Sequence, residues 1–165
     1  MNVKIKKAKI KDDLFLEVEY TENLEGHTKK DTKLSCTVPV HKDLKASFEK
    51  LHKHLAILCD EVTEPKKKEF ATAFFPDFSS RGFSIGGNDE NEGVTISGSK
   101  SGKYGTVNLN TPFKKYEDAE YPFISQLGED IAAAVYEVEQ YLFDGKRAPE
   151  QQLSLEFKDD GDENI

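Results

Sequence analysis

Long apolar runs are missing from this sequence. No stretch approaches the roughly 20 consecutive apolar residues that a membrane-spanning helix needs, and mean hydropathy is −0.65. The first residues, MNVKIKKAKIK, alternate lysine with apolar side chains. They lack the continuous apolar core of a secretory signal, so a cytoplasmic protein without membrane contact is expected. Cysteine is scarce. Cys36 and Cys59 stand far apart and match no metal or redox spacing, which predicts reduced thiols.

Catalytic signatures are missing as well. No G-x-S-x-G elbow is present. The stretch nearest to a phosphate loop, GSKSGKY from Gly98 to Tyr104, has three residues between its glycines where the loop has four. Tyr104 stands where a Ser or Thr would hold magnesium, so a hairpin tip is the expected form. His52 and His54 lie two apart on an expected helix and point to different sides, unlike the i, i+4 pair that shares a metal. They are expected to be solvated or to flank the core. No metal site, no cofactor and no enzyme is expected.

A basic surplus is missing too. The 23 Lys+Arg are outnumbered by 31 Asp+Glu, for a net charge of −8. Residues 1–80 hold 15 basic and 14 acidic residues, and residues 81–165 hold 8 and 17. Strong nonspecific duplex binding needs clustered Lys and Arg in excess, so the overall balance argues against it.

What is present is 165 residues with a chain that is 36% hydrophobic and 33% charged, enough for one domain with its own core. Residues 3–10 and 14–20 read as a hairpin, with Leu14, Leu16, Val18 and Tyr20 alternating inward. Residues 21–32 read as a loop and 34–40 as a third strand near an edge or strand end, because Pro39 donates to no ladder. A helix is expected from Asp43 to Val62, where Leu44, Phe48, Leu51, Leu55, Leu58 and Val62 form one stripe. Residues 64–80 read as a packed loop or helical turn. Strands follow at 82–87, 93–98 and 105–110, with inward pairs Phe83 and Ile85, Val94 and Ile96, Val107 and Leu109. Glycine and asparagine separate them as in a meander. Phe123 to Phe143 is a second helix with the stripe Ile124, Leu127, Ile131, Val135, Val138 and Leu142. The fold class is α+β. An antiparallel sheet of six or seven strands, in the order βββαβββα with a further strand left open at the end, is covered by two amphipathic helices.

Residues 1–149 read as a single domain, 150–157 as a docking peptide or a final strand, and 158–165 as an acidic disordered tail. In a regular first strand, Lys4 and Lys6 share one face and Lys7, Lys9 and Lys11 the other. Such a strand guards a sheet edge. Alternatively it tracks a single-stranded nucleic acid, with Lys100, Lys103 and Tyr104 and with stacking from Phe74 or Phe75. The tail DDGDENI is broadly similar to the acidic tips of bacterial and phage single-strand binders, although it ends in Ile165 and not in phenylalanine.

The hexapeptide Gln152-Leu153-Ser154-Leu155-Glu156-Phe157 resembles the form Q-L-x-L-x-[L/F] by which bacterial polymerases, repair proteins and replication regulators dock on the sliding clamp. The resemblance implies that Gln152 is the polar anchor and that Leu153, Leu155 and Phe157 fill an apolar pocket. It implies a non-catalytic accessory protein of DNA replication or repair, of a kind that phages encode, with the clamp or another protein as partner. The same alternation of Leu153, Leu155 and Phe157 is also how a last strand faces a core.

Overall fold

A computed structural model describes residues 2–149. The chain is α+β, with a seven-stranded antiparallel sheet and three α-helices. The strands are β1 (Val3–Lys11), β2 (Phe15–Asn23), β3 (Lys29–Ser35), β4 (Phe78–Gly86), β5 (Gly93–Gly102), β6 (Gly105–Asn110) and the short β7 (Lys114–Lys115). Their order across the sheet is β3-β2-β1-β4-β5-β6, with β7 pairing β5. The helices are α1 (Lys42–Glu49), α2 (His52–Leu58) and α3 (Ile124–Phe143). Among the described residues no helix is long and apolar enough to cross a membrane.

The alternation of side chains sorts the sheet into two faces. Leu34, Val18, Ala8, Phe83 and Ile96 lie in one cross-strand row on the helix face. All but Leu34 are buried. Ile5, Leu16 and Val94 join them, and Phe48, Leu51, Leu55, Phe123, Leu127, Ile131, Ala134 and Val138 close the core from the helices. The neighbouring row, Ser35, Glu17, Lys9, Gly82, Ser97 and Asn110, lies on the face away from the helices.

Several expectations are corrected. The stripe from Asp43 to Val62 is two helices, not one. Phe48 and Ser80 supply the cause. The Ser80 hydroxyl donates to the Phe48 carbonyl at 2.6 Å, and the N–H groups of Lys50 and Leu51 turn back to the same oxygen. The carbonyl that a straight helix would offer to His52 is thus occupied by a strand. α2 then stops at Leu58, where Asp60 takes a left-handed φ of 57°. The expected loop at 21–32 holds the end of β2 and most of β3, and the expected strand at 34–40 is irregular beyond Ser35. Val107, read as inward, is 60% exposed, because β6 lies at the sheet's edge beyond the helices' cover. On α3, Tyr141 and Ala134 are buried with Leu127, Ile131 and Val138, while Ile124, Val135 and Leu142 are only partly covered.

Glycine is required where α2 meets β5. A Cβ on Gly98 would stand 2.6 Å from the Leu55 side chain and would also collide with the Ser79 carbonyl.

Candidate functional site

The lysines of β1 come together through a bulge. Ile5 pairs with Tyr20 and Lys7 with Glu19, so Lys6 has no partner of its own on β2. One extra residue shifts the alternation by one. Val3, Ile5, Ala8 and Ile10 therefore all stay on the helix face, and Lys4, Lys7, Lys9 and Lys11 share the outer face. This corrects the expectation that Lys4 and Lys7 point opposite ways. It also corrects the edge-guard reading, since β1 lies between β2 and β4 inside the sheet.

The outer face is mixed in charge. The row Lys7–Glu19–Lys33 alternates sign, and Lys9 lies opposite Glu17. Lys33 and Glu19 approach to 3.6 Å, and Lys6 borders Glu19, Thr21, Asp31 and Lys33, while the Lys4 ammonium turns to Glu92 at 3.1 Å, in the groove against α3. Asp31 accepts from the Thr21 hydroxyl at 2.7 Å. Towards β6 the face carries the neutral side chains Ser84, Thr95, Ser97, Ser99, Asn108 and Asn110, with the Arg81 guanidinium donating to the Ser99 hydroxyl at 3.4 Å. The other residues expected for nucleic acid lie elsewhere. Lys100 is on the helix face, over the Phe78 ring and paired with Glu61 at 3.2 Å. Lys103 and Tyr104 form the β5–β6 turn, with Tyr104 93% exposed. Phe74 is 79% exposed and Phe75 packs edge-on against Phe78. Both border a groove of about 610 Å³ with Lys50 and Lys53, away from β1.

A buried polar chain connects α2, α3 and the segment before α3. Its centre is His54, which is fully buried, not solvated or flanking as expected. His54 Nε2 lies 2.9 Å from Asp130 Oδ2, and Nδ1 lies 2.7 Å from the Tyr121 hydroxyl. A carboxylate only accepts, so in the neutral imidazole the proton sits on Nε2 and Tyr121 donates to Nδ1. Burial, with Glu64 and Asp130 nearby, pushes the Tyr121 hydroxyl well above the usual tyrosine range and keeps it a donor. The signal was present in the sequence: His54 sits three residues after Leu51 and four before Leu58, inside the apolar stripe. Among the described residues no three His, Cys, Asp or Glu side chains are grouped so as to hold a metal.

The end of the described chain is tied down. Lys146 Nζ lies 2.9 Å from both Asp43 and Glu137. Asp43 is held below the usual carboxylate range, chiefly by the Lys146 ammonium, and Lys146 is raised in turn by Asp43 and Glu137. The Ala148 N–H donates to the Pro39 carbonyl at 3.1 Å. The docking peptide, Gln152, Leu153, Leu155 and Phe157, and the acidic tail lie outside the described residues. No known family, curated protein or solved structure matches the chain.

Proposed function

We propose that this chain is a non-catalytic accessory protein of DNA replication or repair that docks on the sliding clamp through Gln152, Leu153, Leu155 and Phe157. The observation that carries the reading is the hexapeptide itself. Its placement supports it. The core of residues 2–149 closes without it, with no buried side-chain polar atom unpartnered among the described residues. The Lys146 ion cluster and the Ala148 bond then deliver the chain to Gln152 from a fixed exit. A cytoplasmic location goes with this role, and no cofactor is called for.

A peptide of residues 148–165 is expected to bind the clamp alone with roughly micromolar affinity, about −8 kcal/mol. Leu155→Ala with Phe157→Ala is expected to remove most of it, because buried anchors dominate such contacts. No binding at about a hundred times that concentration by calorimetry would defeat the reading.

One observation favours a second reading, a single-stranded nucleic acid lying on the outer face of the sheet. The bulge at Lys6 gathers Lys7, Lys9 and Lys11 there, with Lys6 itself beside Glu19, Thr21, Asp31 and Lys33. Lys100, Lys103 and Tyr104 take no part in that surface.

A further inference from the structure

The last described backbone contacts set the direction of the chain. Val40 and Arg147 form an antiparallel bridge beside the Ala148–Pro39 hydrogen bond. Residues 36–40 continue the line of β3, and Cys36 and Val40 donate on their other side to Leu16 and Leu14. Continued in that direction, a strand beyond Ala148 would lie along the side of β3 that faces away from β2. On that side β3 has no strand neighbour among the described residues.

Counting residue for residue from the Val40–Arg147 bridge sets Leu153, Leu155 and Phe157 opposite Leu34, Thr32 and Lys30. Residues 36–40 advance four positions while β2 advances two, from Leu16 to Leu14. The count can thus slip by two. A slip of two changes partners but not faces, because side chains alternate with period two. Leu34 pairs with the buried Val18, so a strand added in either register would set all three apolar side chains on the helix face, and Ser154 and Glu156 on the outer face.

That face offers uncovered apolar surface beside the edge. Leu34 is 38% exposed and Phe143 37%. The Phe143 ring stands 5.6 Å from that of Tyr20, and Tyr20 is the partner of Thr32. Charge is complementary too. β3 carries Lys29, Lys30 and Lys33 against the single acid Asp31, and of the three lysines Lys33 also meets Glu19 at 3.6 Å. Residues 150–163 carry six acids and the single Lys158.

We propose that the free edge of β3 is a docking surface for this chain's own residues 152–157, which add to it as an antiparallel strand. Only one consequence rests on the clamp reading: edge and clamp use the same three apolar side chains, so the two bound states exclude each other.

Amide exchange in the full chain tests the contact directly. The outward N–H groups of β3 are expected to exchange roughly tenfold more slowly in the natural sequence than in Ser154→Pro, which removes a donor from the added strand. Leu34→Asp, on the β3 side of the contact, is expected to give the same release. Equal exchange of these amides in all three proteins would overturn the proposal, whatever the clamp does. In the binding arm, the full chain is expected to bind the clamp several-fold more weakly than peptide 148–165, and Leu34→Asp to close that gap. Equal affinities for full chain and peptide would overturn the competition. A peptide that fails to bind the clamp would defeat the functional reading and leave the exchange result standing.

Discussion

The imidazole of His54 is shared by three parts of the chain. It stands on α2, accepts from Tyr121 ahead of α3 and donates to Asp130 on α3. Rings surround it, with Phe70 at 5.1 Å and Tyr121 at 5.9 Å between centroids. Removing one partner of a buried polar pair costs more than the bond itself, because the other is left unsolvated. Tyr121→Phe leaves Nδ1 without its donor and is expected to destabilise by about 1–3 kcal/mol. His54→Ala also opens a cavity and is expected to cost about 2–5 kcal/mol. Urea unfolding monitored by far-UV circular dichroism gives both values. A change below about 0.5 kcal/mol for His54→Ala would show that the chain of bonds is not a structural tie.

At the scale of elements, the ion cluster at Lys146 joins α1, α3 and the chain's exit. Its pH dependence follows from the directions of the two shifts. Asp43 is lowered in the folded protein, so its contribution is present above the ordinary carboxylate value and lost as pH falls through the lower folded one. Lys146 is raised, so its contribution is present below the ordinary lysine value and lost as pH rises through the higher folded one. The melting-temperature difference between the natural sequence and Lys146→Met is therefore expected to be level from about pH 5 to 9 and to shrink below about pH 4 and above about pH 10.5. A difference that stays constant across that range would mean that the methylene stem, not the charge, holds the segment.

The elements differ in how legible they were. α3 is plain in the sequence because Leu127, Ile131 and Val138 repeat on one face and meet the core. β3 is not, because Lys29–Ser35 is an edge strand largely exposed on both faces. With one apolar residue, Leu34, it carries no period to read. Val38 and Val40 drew the third strand too far along. Val38 instead offers its carbonyl to the Tyr141 hydroxyl, at 2.6 Å. The break after Glu49 depends on Ser80, some thirty residues away, and no local pattern announces it. Of the candidate site, the lysines were legible as residues but not as a surface, since their common face is made by one unpaired position. The doubled lysine at 6 and 7, where the alternation changes phase, was the available sign.

For the whole molecule, charge decides how the outer face meets a polyanion. The lysines of β1 are interleaved with Glu17 and Glu19, and the chain carries a net −8. Oligonucleotide binding is thus expected to be weak and to vanish towards physiological salt. At low salt, three or four phosphate contacts give a log–log salt slope of about −2 to −3 for a single strand. Lys7→Ala with Lys9→Ala should reduce that slope by about 1.4. Lys100→Ala, or Lys103→Ala with Tyr104→Ala, should leave it unchanged. Anisotropy titrations with a labelled oligothymidine measure each slope. Dependence on Tyr104 in place of Lys7 and Lys9 would move the contact to the β5–β6 turn.

A two-sided sheet reads its sequence in pairs, and β1 holds one character more than its frame requires. Without Lys6 the strand spells Val-Lys-Ile-Lys-Ala-Lys-Ile-Lys, an unbroken alternation whose every member already has its partner on β2. A three-base deletion at that codon is therefore silent to the sheet's grammar as well as to the ribosome's. The same deletion at Ala8 also restores the alternation, with Lys9, Ile10 and Lys11 keeping their partners, but it sets Lys7 in the fully buried place opposite Val18.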